Sequence, residues 1–198
     1  MCGIVAYVGN SEAYPIIIKG LKRLEYRGYD SAGIAIGSDS GTKIYKKKGK
    51  VSNLESYVLE QDYSGCLGIG HTRWATHGEP NEVNAHPHTS GDKKLSLIHN
   101  GIIENHDSIK KALIAKGHIF ESNTDTEVLV HLIEEIKKHE DVSLFEAVRI
   151  ALNEVVGAYA IVVFEEDCKN EFIAARKGSP LLIGVGRNEY YVASDASQ

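Results

Sequence analysis

Cys2 directly follows the initiator methionine, a placement that could put a thiol nucleophile and its base on one residue. Once Met1 is removed, the cysteine carries a free α-amine. Such an amine titrates near ~8 and a cysteine thiol near ~8.5, close enough to exchange a proton during catalysis. The competing reading is an early strand residue, because Ile4-Val5-Ala6-Tyr7-Val8 is a strong strand signal. Taken alone, Cys2 favours the strand.

Three further positions could complete a site. Arg73, in a loop beside Trp74 and Thr76, could clamp a carboxylate in two parallel charge-assisted bonds, or form a surface salt bridge of little energetic weight. Asn100-Gly101 could offer a side-chain amide and a backbone N–H to a tetrahedral oxyanion, or be a tight turn; on sequence grounds the turn leads. Asp125 falls in the first turn of a capped helix, where the helix dipole by itself favours a carboxylate, and where it is also placed to accept hydrogen bonds from an ammonium group. A carboxylate at Arg73 and an ammonium at Asp125 describe an α-amino acid pocket, with Cys2 and Asn100 supplying the attack on its side chain.

Seven of the nine histidines lie between His71 and His118, which raises the question of a metal. His71, His77, His86, His88 and His99 follow no fixed ligand spacing, and Pro87 makes His86-Pro87-His88 a turn feature. They read as hydrogen-bonding core residues, so neither a metal nor a cofactor is expected.

The elements that would position these residues follow from periodicity. After the first strand, Ser11 can cap a helix with Tyr14, Ile17, Ile18, Leu21 and Leu24 on one face. The glycine-punctuated loop Tyr26 to Gly33 leads into the strand Ile34 to Ile36, a turn at Ser38 to Gly41, and a strand from Lys43 to Lys48. The pattern Ser52-Asn53-Leu54-Glu55 is a capping box opening a short helix to about Glu60. A glycine-rich strand, Gly65 to Gly70, delivers the chain to His71 through Pro80, and the segment from there to Asp92 lacks either period. The strand Leu95 to His99 is expected to end at Asn100-Gly101, and Asn105 to cap a helix that stops at Gly117. Capping boxes at Thr124 to Glu127 and Ser143 to Glu146 open two more helices. From Gly157 the period is that of strands: 158–164, 171–175, 181–185 and 190–193, expected as a run of antiparallel hairpins. Strands at both ends with helices between them predict an α+β layered domain rather than a doubly wound parallel sheet.

With 198 residues, 42% of them apolar, a net charge of -5 and no linker, the chain is expected to form one domain with a sizeable core. The mild negative balance argues against a nucleic-acid partner, and Lys46-Lys47-Lys48 with Lys50 reads as a solvated strand end. Cys2, Cys66 and Cys168 lack paired spacing, which predicts an intracellular, cytoplasmic protein without disulfides. No segment has the length of a membrane span.

Cys2-Gly3-Ile4-Val5, Tyr26 to Gly33, His71 to Pro80, Asn84 to His88, His99 to Asn105 and Thr124 to Val128 together closely resemble the class II glutamine amidotransferases, in the branch that aminates fructose 6-phosphate. The resemblance covers essentially the whole chain and implies the N-terminal-nucleophile hydrolase fold, an αββα sandwich of two antiparallel sheets between helical layers. It implies glutamine as substrate, Cys2 as nucleophile with its own α-amine as base, and Asn100 with Gly101 as the oxyanion hole. By the same resemblance Arg73 takes the α-carboxylate of glutamine and Asp125 its α-amino group. Thr76 and His77 line the glutamine loop, Trp74 stands near the outlet for ammonia, and Arg27 and His86 are supporting candidates. Ala6 stands where the family commonly has glycine. Residues 1–198 are expected to be a glutaminase domain cut short of its C-terminal end. Fructose 6-phosphate would be bound by sugar-isomerase domains outside this chain, in a parent that is a homo-oligomer, most simply a dimer. The alternatives are another class II glutamine amidotransferase, such as one that aminates phosphoribosyl pyrophosphate, and a glutamine-sensing module without turnover if Met1 is retained.

Overall fold

Alternation along β1 (Gly3–Val8) sends its side chains into two different cores, Ile4 and Ala6 to one and Val5 and Tyr7 to the other. That division organises the molecule. The structure is a computed structural model and describes residues 2–74, 79–168 and 170–196. The remaining elements are α1 (Ala13–Leu24), a 3-10 turn (Glu25–Arg27), β2 (Ser31–Ser38), β3 (Gly41–Lys48), α2 (Val51–Val58), β4 (Leu67–Arg73), β5 (His88–Thr89), β6 (Leu95–Ile103), α3 (His106–Ala115), α4 (Asp125–Glu140), α5 (Leu144–Glu154), β7 (Gly157–Glu165), β8 (Ile173–Lys177), β9 (Leu182–Gly186) and β10 (Glu189–Ala193). One sheet runs β3-β2-β4-β1-β10-β9, the other β5-β6-β7-β8, and the strand pairs are antiparallel.

The two sheets face each other across Ile4, Ala6, Ala35, Leu67, Ile69, Ile98, Ala160, Val162 and Phe164. Helices α1 and α2 cover the outer face of the larger sheet through Ile17, Leu21, Leu24 and Leu54. Helices α4 and α5 cover the outer face of the smaller one through Leu129, Ile133, Ala147 and Val148. This is the expected αββα sandwich, and Ala6 is fully enclosed at its centre. No helix among the described residues is long and apolar enough to cross a membrane.

The glycines of β4 set the distance between that sheet and α1. A Cβ added at Gly70 would run into Ile17 and Leu21 of α1. Gly70→Val is therefore expected to destabilise the fold by about 1–3 kcal/mol through overpacking, despite valine's strand preference. Thermal unfolding checks this, and an unchanged Tm would contradict the close helix–sheet packing.

Several local expectations are corrected, each by a tertiary partner. Ser52 lies inside α2 rather than capping it; the helix begins at Val51, whose N–H is taken by the Glu25 carboxylate at 2.8 Å. Ser11 does not cap α1, which starts after Glu12. Asn105 precedes α3 but turns its amide to the C-terminal end of α5, donating to the Glu154 carbonyl and accepting from the Val156 N–H. Strand β6 does not end at Asn100 but pairs with β7 through Ile103. The C-terminal strands are not one run of hairpins: β7–β8 and β9–β10 are hairpins of different sheets, the chain crossing between them. Lys46 is half-buried rather than solvated, and burial lowers its pKa to about 8 against the pull of Glu127 and Glu121. The Thr124 and Ser143 caps form as expected, accepting from the Glu127 and Glu146 N–H groups.

Candidate active site

The inter-sheet core has a polar end, reached by continuing three strands along the same face. On β1, Ile4 is preceded two residues earlier by Cys2. On β4, Leu67 and Ile69 are followed by His71 and Arg73. On β6, Ile98 is followed by Asn100. Because successive same-face residues are two apart, the packing that buries the isoleucines also brings these polar side chains together.

The β1–β4 register pairs Gly3 with Thr72, setting Cys2 against Arg73 and Trp74. The Trp74 N–H points at the Cys2 sulfur at 3.3 Å, and the thiol faces the Trp74 carbonyl at 3.7 Å. Burial raises the Cys2 pKa; the Trp74 N–H and the charges of Arg73 and Arg27 pull it down without cancelling that rise. The group is a thiol at neutral pH and needs a base to become a nucleophile.

Asn100 is oriented by a residue that sequence reading placed only among core histidines. His71 Nε2 lies 2.9 Å from Asn100 Oδ1 and 3.1 Å from the His99 carbonyl. Burial, the dominant cause, pushes the His71 pKa down to about 3, so the ring is neutral. Facing two acceptors, Nε2 carries the proton and donates it. Asn100 Oδ1 is thereby engaged, which turns the amide nitrogen toward Cys2, where it donates to the backbone carbonyl at 3.0 Å. The next residue, Gly101, has φ +130° within a strand, and a Cβ there would collide with the Ala158 carbonyl. This backbone is open to glycine and strained for other residues, and it replaces the tight turn that sequence alone favoured.

Asp125 opens α4 and accepts the Ile103 N–H at 2.8 Å, with His99 Nδ1 3.9 Å away. Thr126 Oγ1 links His86 Nε2 (2.8 Å) and His99 Nδ1 (3.0 Å). Arg73 is buried, close enough to Asp125 and Cys2 for the charges to interact, and reaches the Glu79 carbonyl at 3.5 Å. Cys2, Arg73, Trp74, His86, His99, Gly101, Thr124, Asp125 and Thr126 enclose about 30 Å³. Trp74 is partly exposed and meets Tyr29 edge-on at 5.5 Å.

Arg27 stands behind the thiol. Its guanidinium holds the Ser194 carbonyl and the Asp195 carboxylate, each at 3.2 Å, and Ser194 Oγ in turn accepts the Ile4 N–H. It secures the start of β1 and contributes positive charge at Cys2. His86 stacks on His71 with ring centroids 4.1 Å apart, and burial keeps it neutral. Thr76 and His77 lie outside the described residues. Sequence reading missed the orienting role of His71 and the bridge at Thr126. The signal for His71 was its parity with Leu67 and Ile69. Thr126 had none, since its partners come from other elements. A larger groove of about 600 Å³ between α1 and the β9–β10 edge holds none of the candidate residues.

The family model described as "Glutamine amidotransferase domain" matches residues 71–198. The glutamine–fructose-6-phosphate aminotransferase (isomerizing) of Bacteroides thetaiotaomicron is 61% identical over 198 residues, covering 100% of this chain and 32% of that protein. The protein of the same name from Thermus thermophilus is 55% identical over 195 residues, 98% of this chain and 32% of the relative. The chain thus spans about a third of the length of these curated relatives. Among solved structures, the glutamine phosphoribosylpyrophosphate amidotransferase of B. subtilis superposes with a TM-score of 0.84 at 33% identity, covering 98% of this chain and 42% of that one. A glutamine aminotransferase class-II domain protein from Silicibacter pomeroyi shares the fold at a TM-score of 0.64 and 16% identity, over 98% of this chain and 88% of its own. On the match of well over half its length, in a fold its relatives share, the chain belongs to the class II glutamine amidotransferase family.

Proposed function

We propose that this chain hydrolyses L-glutamine to glutamate and ammonia, with Cys2 as nucleophile once Met1 has been removed. The observation that carries the reading is the Asn100 amide, oriented by His71 to face Cys2. The thiol proton passes to the Cys2 α-amine, and the thiolate attacks the carboxamide carbon of glutamine. Asn100 Nδ2 and the Gly101 N–H stabilise the oxyanion. The α-ammonium returns the proton to the departing nitrogen, releasing ammonia and leaving a γ-glutamyl thioester. Water then attacks that thioester, releases glutamate and restores the thiol. Arg73 binds the α-carboxylate and Asp125 the α-ammonium, and the resemblance assigns Thr76, His77 and Trp74 to glutamine binding as well. Incubation of the processed protein with L-glutamine is expected to yield glutamate and ammonia in equal amounts; no release above buffer would reject the reading.

The same mechanism fixes a pH dependence. The α-amine acts only when unprotonated, so kcat/KM is expected to rise with pH, tenfold per unit, and to level off as the amine titrates near ~8. A flat profile from pH 6 to 9 would argue for a preformed thiolate instead.

In the longer protein, the ammonia is used to convert fructose 6-phosphate to glucosamine 6-phosphate, the sugar being held by the portion corresponding to the rest of the relatives. Identity of 61% to an aminotransferase of that name, against 33% to a phosphoribosylpyrophosphate amidotransferase, favours the first acceptor over the second. The free cysteines fit a reducing cytoplasm, and the longer protein would act as a homodimer. Assaying that protein with each acceptor separates the two readings.

A further inference from the structure

Between α4, the segment after α3 and the turn at Gly91, three possible ligand atoms converge to within 3.6 Å of one another. His118 follows α3, and His131 and Glu134 lie three residues apart on one face of α4. His118 Nδ1 is 3.3 Å from His131 Nδ1, His131 Nδ1 is 3.2 Å from Glu134 Oε2, and His118 Nδ1 is 3.6 Å from Glu134 Oε2. A tetrahedral ion with bonds of about 2.0–2.1 Å separates its ligand atoms by about 3.3–3.4 Å. The three edges of this triangle therefore fit one face of such a tetrahedron.

The surroundings are built as metal sites are. Each imidazole turns its other nitrogen to a carboxylate: His118 Nε2 meets Glu135 Oε2 at 3.0 Å, and His131 Nε2 faces Glu127 Oε1 at 3.6 Å. Glu134 is itself fixed by the Gly91 and Asp92 N–H groups and by Lys138. Carboxylate partners behind ligating histidines and hydrogen bonds on ligating carboxylates are the recurring outer shell of protein metal centres. The three side chains are nearly buried, 7%, 3% and 3% exposed for His118, His131 and Glu134. Beside them lies a polar cavity of about 80 Å³, bordered by His131, Glu127, Ser90 and Gly91, with room for water.

We propose that His118, His131 and Glu134 bind one divalent transition-metal ion, zinc by the preference of two imidazoles and a carboxylate. None of the three belongs to the site around Cys2, and the group is separate from the histidines between His71 and His99. The ion ties the loop after α3 to α4, and Glu134 extends the hold to the turn at Gly91. Since Asp125 and Thr126 open the same helix, the site steadies the element that presents them. Imidazole ligates a metal through an unprotonated nitrogen, so protons compete with the ion and binding is weaker at low pH.

The test is calorimetric titration of chelator-treated protein with zinc sulfate, with unfolding followed in parallel. One ion per chain is expected, with a Tm rise of about 5–10 °C at a hundredfold excess over Kd. His118→Ala and Glu134→Gln should abolish the Tm rise, and Glu135→Gln should weaken binding about 10–100-fold. Each variant's fold is checked by circular dichroism, and the near-isosteric Glu134→Gln keeps the test valid if His118→Ala fails to fold. Cys2→Ala should still take up one ion. Absence of zinc uptake, leaving the proton as sole occupant, would overturn the proposal. So would uptake that survives Glu134→Gln unchanged or disappears in Cys2→Ala.

Discussion

Replacement of Cys2 by alanine is expected to abolish glutamine hydrolysis while leaving glutamine binding largely intact. The thiol is the group that forms the covalent bond, and among the described residues the other hydroxyls lining the space around it, those of Thr124 and Thr126, are engaged with His88, and with His86 and His99. Arg73 and Asp125, assigned to the two charged ends of the substrate, are untouched by the change. Calorimetric binding of glutamine to the variant, set beside its glutamate release, separates the two roles. Turnover persisting in the variant would sink the mechanism. A form that retains Met1 should be equally inactive even with its thiol present, because acylation of the Cys2 nitrogen removes the base and burial leaves the thiol protonated.

Asn100→Ala is expected to lower kcat by about 10²–10³, equivalent to about 2.7–4 kcal/mol of transition-state stabilisation, with little change in KM. The amide is oriented toward Cys2 at the end of a hydrogen-bonded series from His71, and it donates most strongly when charge develops on the carbonyl oxygen. The loss should fall on the chemical step. A change confined to KM would instead assign Asn100 to ground-state binding. His71→Ala provides the internal control: it removes the donor that orients Asn100 Oδ1 but not the amide, so its kcat should fall between those of Asn100→Ala and the parent chain.

Much of this architecture was legible because periodicity is local. The strand at Ile4 to Val8, the apolar stripe of α1 and the caps at Thr124 and Ser143 are settled by residues within a few positions of one another, and they appear as read. The corrections share the opposite property. Glu25 caps α2 from 26 residues away, Asn105 is drawn from its helix by the C-terminal end of α5, and Lys46 is half-buried near glutamates of α4 and its approach. Gly101 read as a turn because the sequence cannot show that Ala158 and Tyr159 of a neighbouring strand accept it at positive φ.

The same distinction holds for the site. Cys2, Arg73, Asn100 and Asp125 were visible as residue types that together describe an α-amino acid pocket, and the resemblance named its substrate; the structure gathers all four at one end of the inter-sheet core. The part played by His71 was not visible. Its function depends on a neutral ring bridging two sheets, which follows from burial and from the facing of β4 and β6 rather than from neighbours in the chain. A parity argument could have placed it, since His71 continues the row of Leu67 and Ile69 just as Cys2 precedes Ile4.

The central claim is that processed Cys2 carries the substrate's acyl group. It is tested most directly by acid-quenching the protein during turnover of L-glutamine and sequencing its peptides by tandem mass spectrometry. The account predicts one γ-glutamyl group on the sulfur of an N-terminal Cys2 that has lost Met1. A glutamyl group on another residue, or steady turnover by chains that all retain Met1, would contradict it.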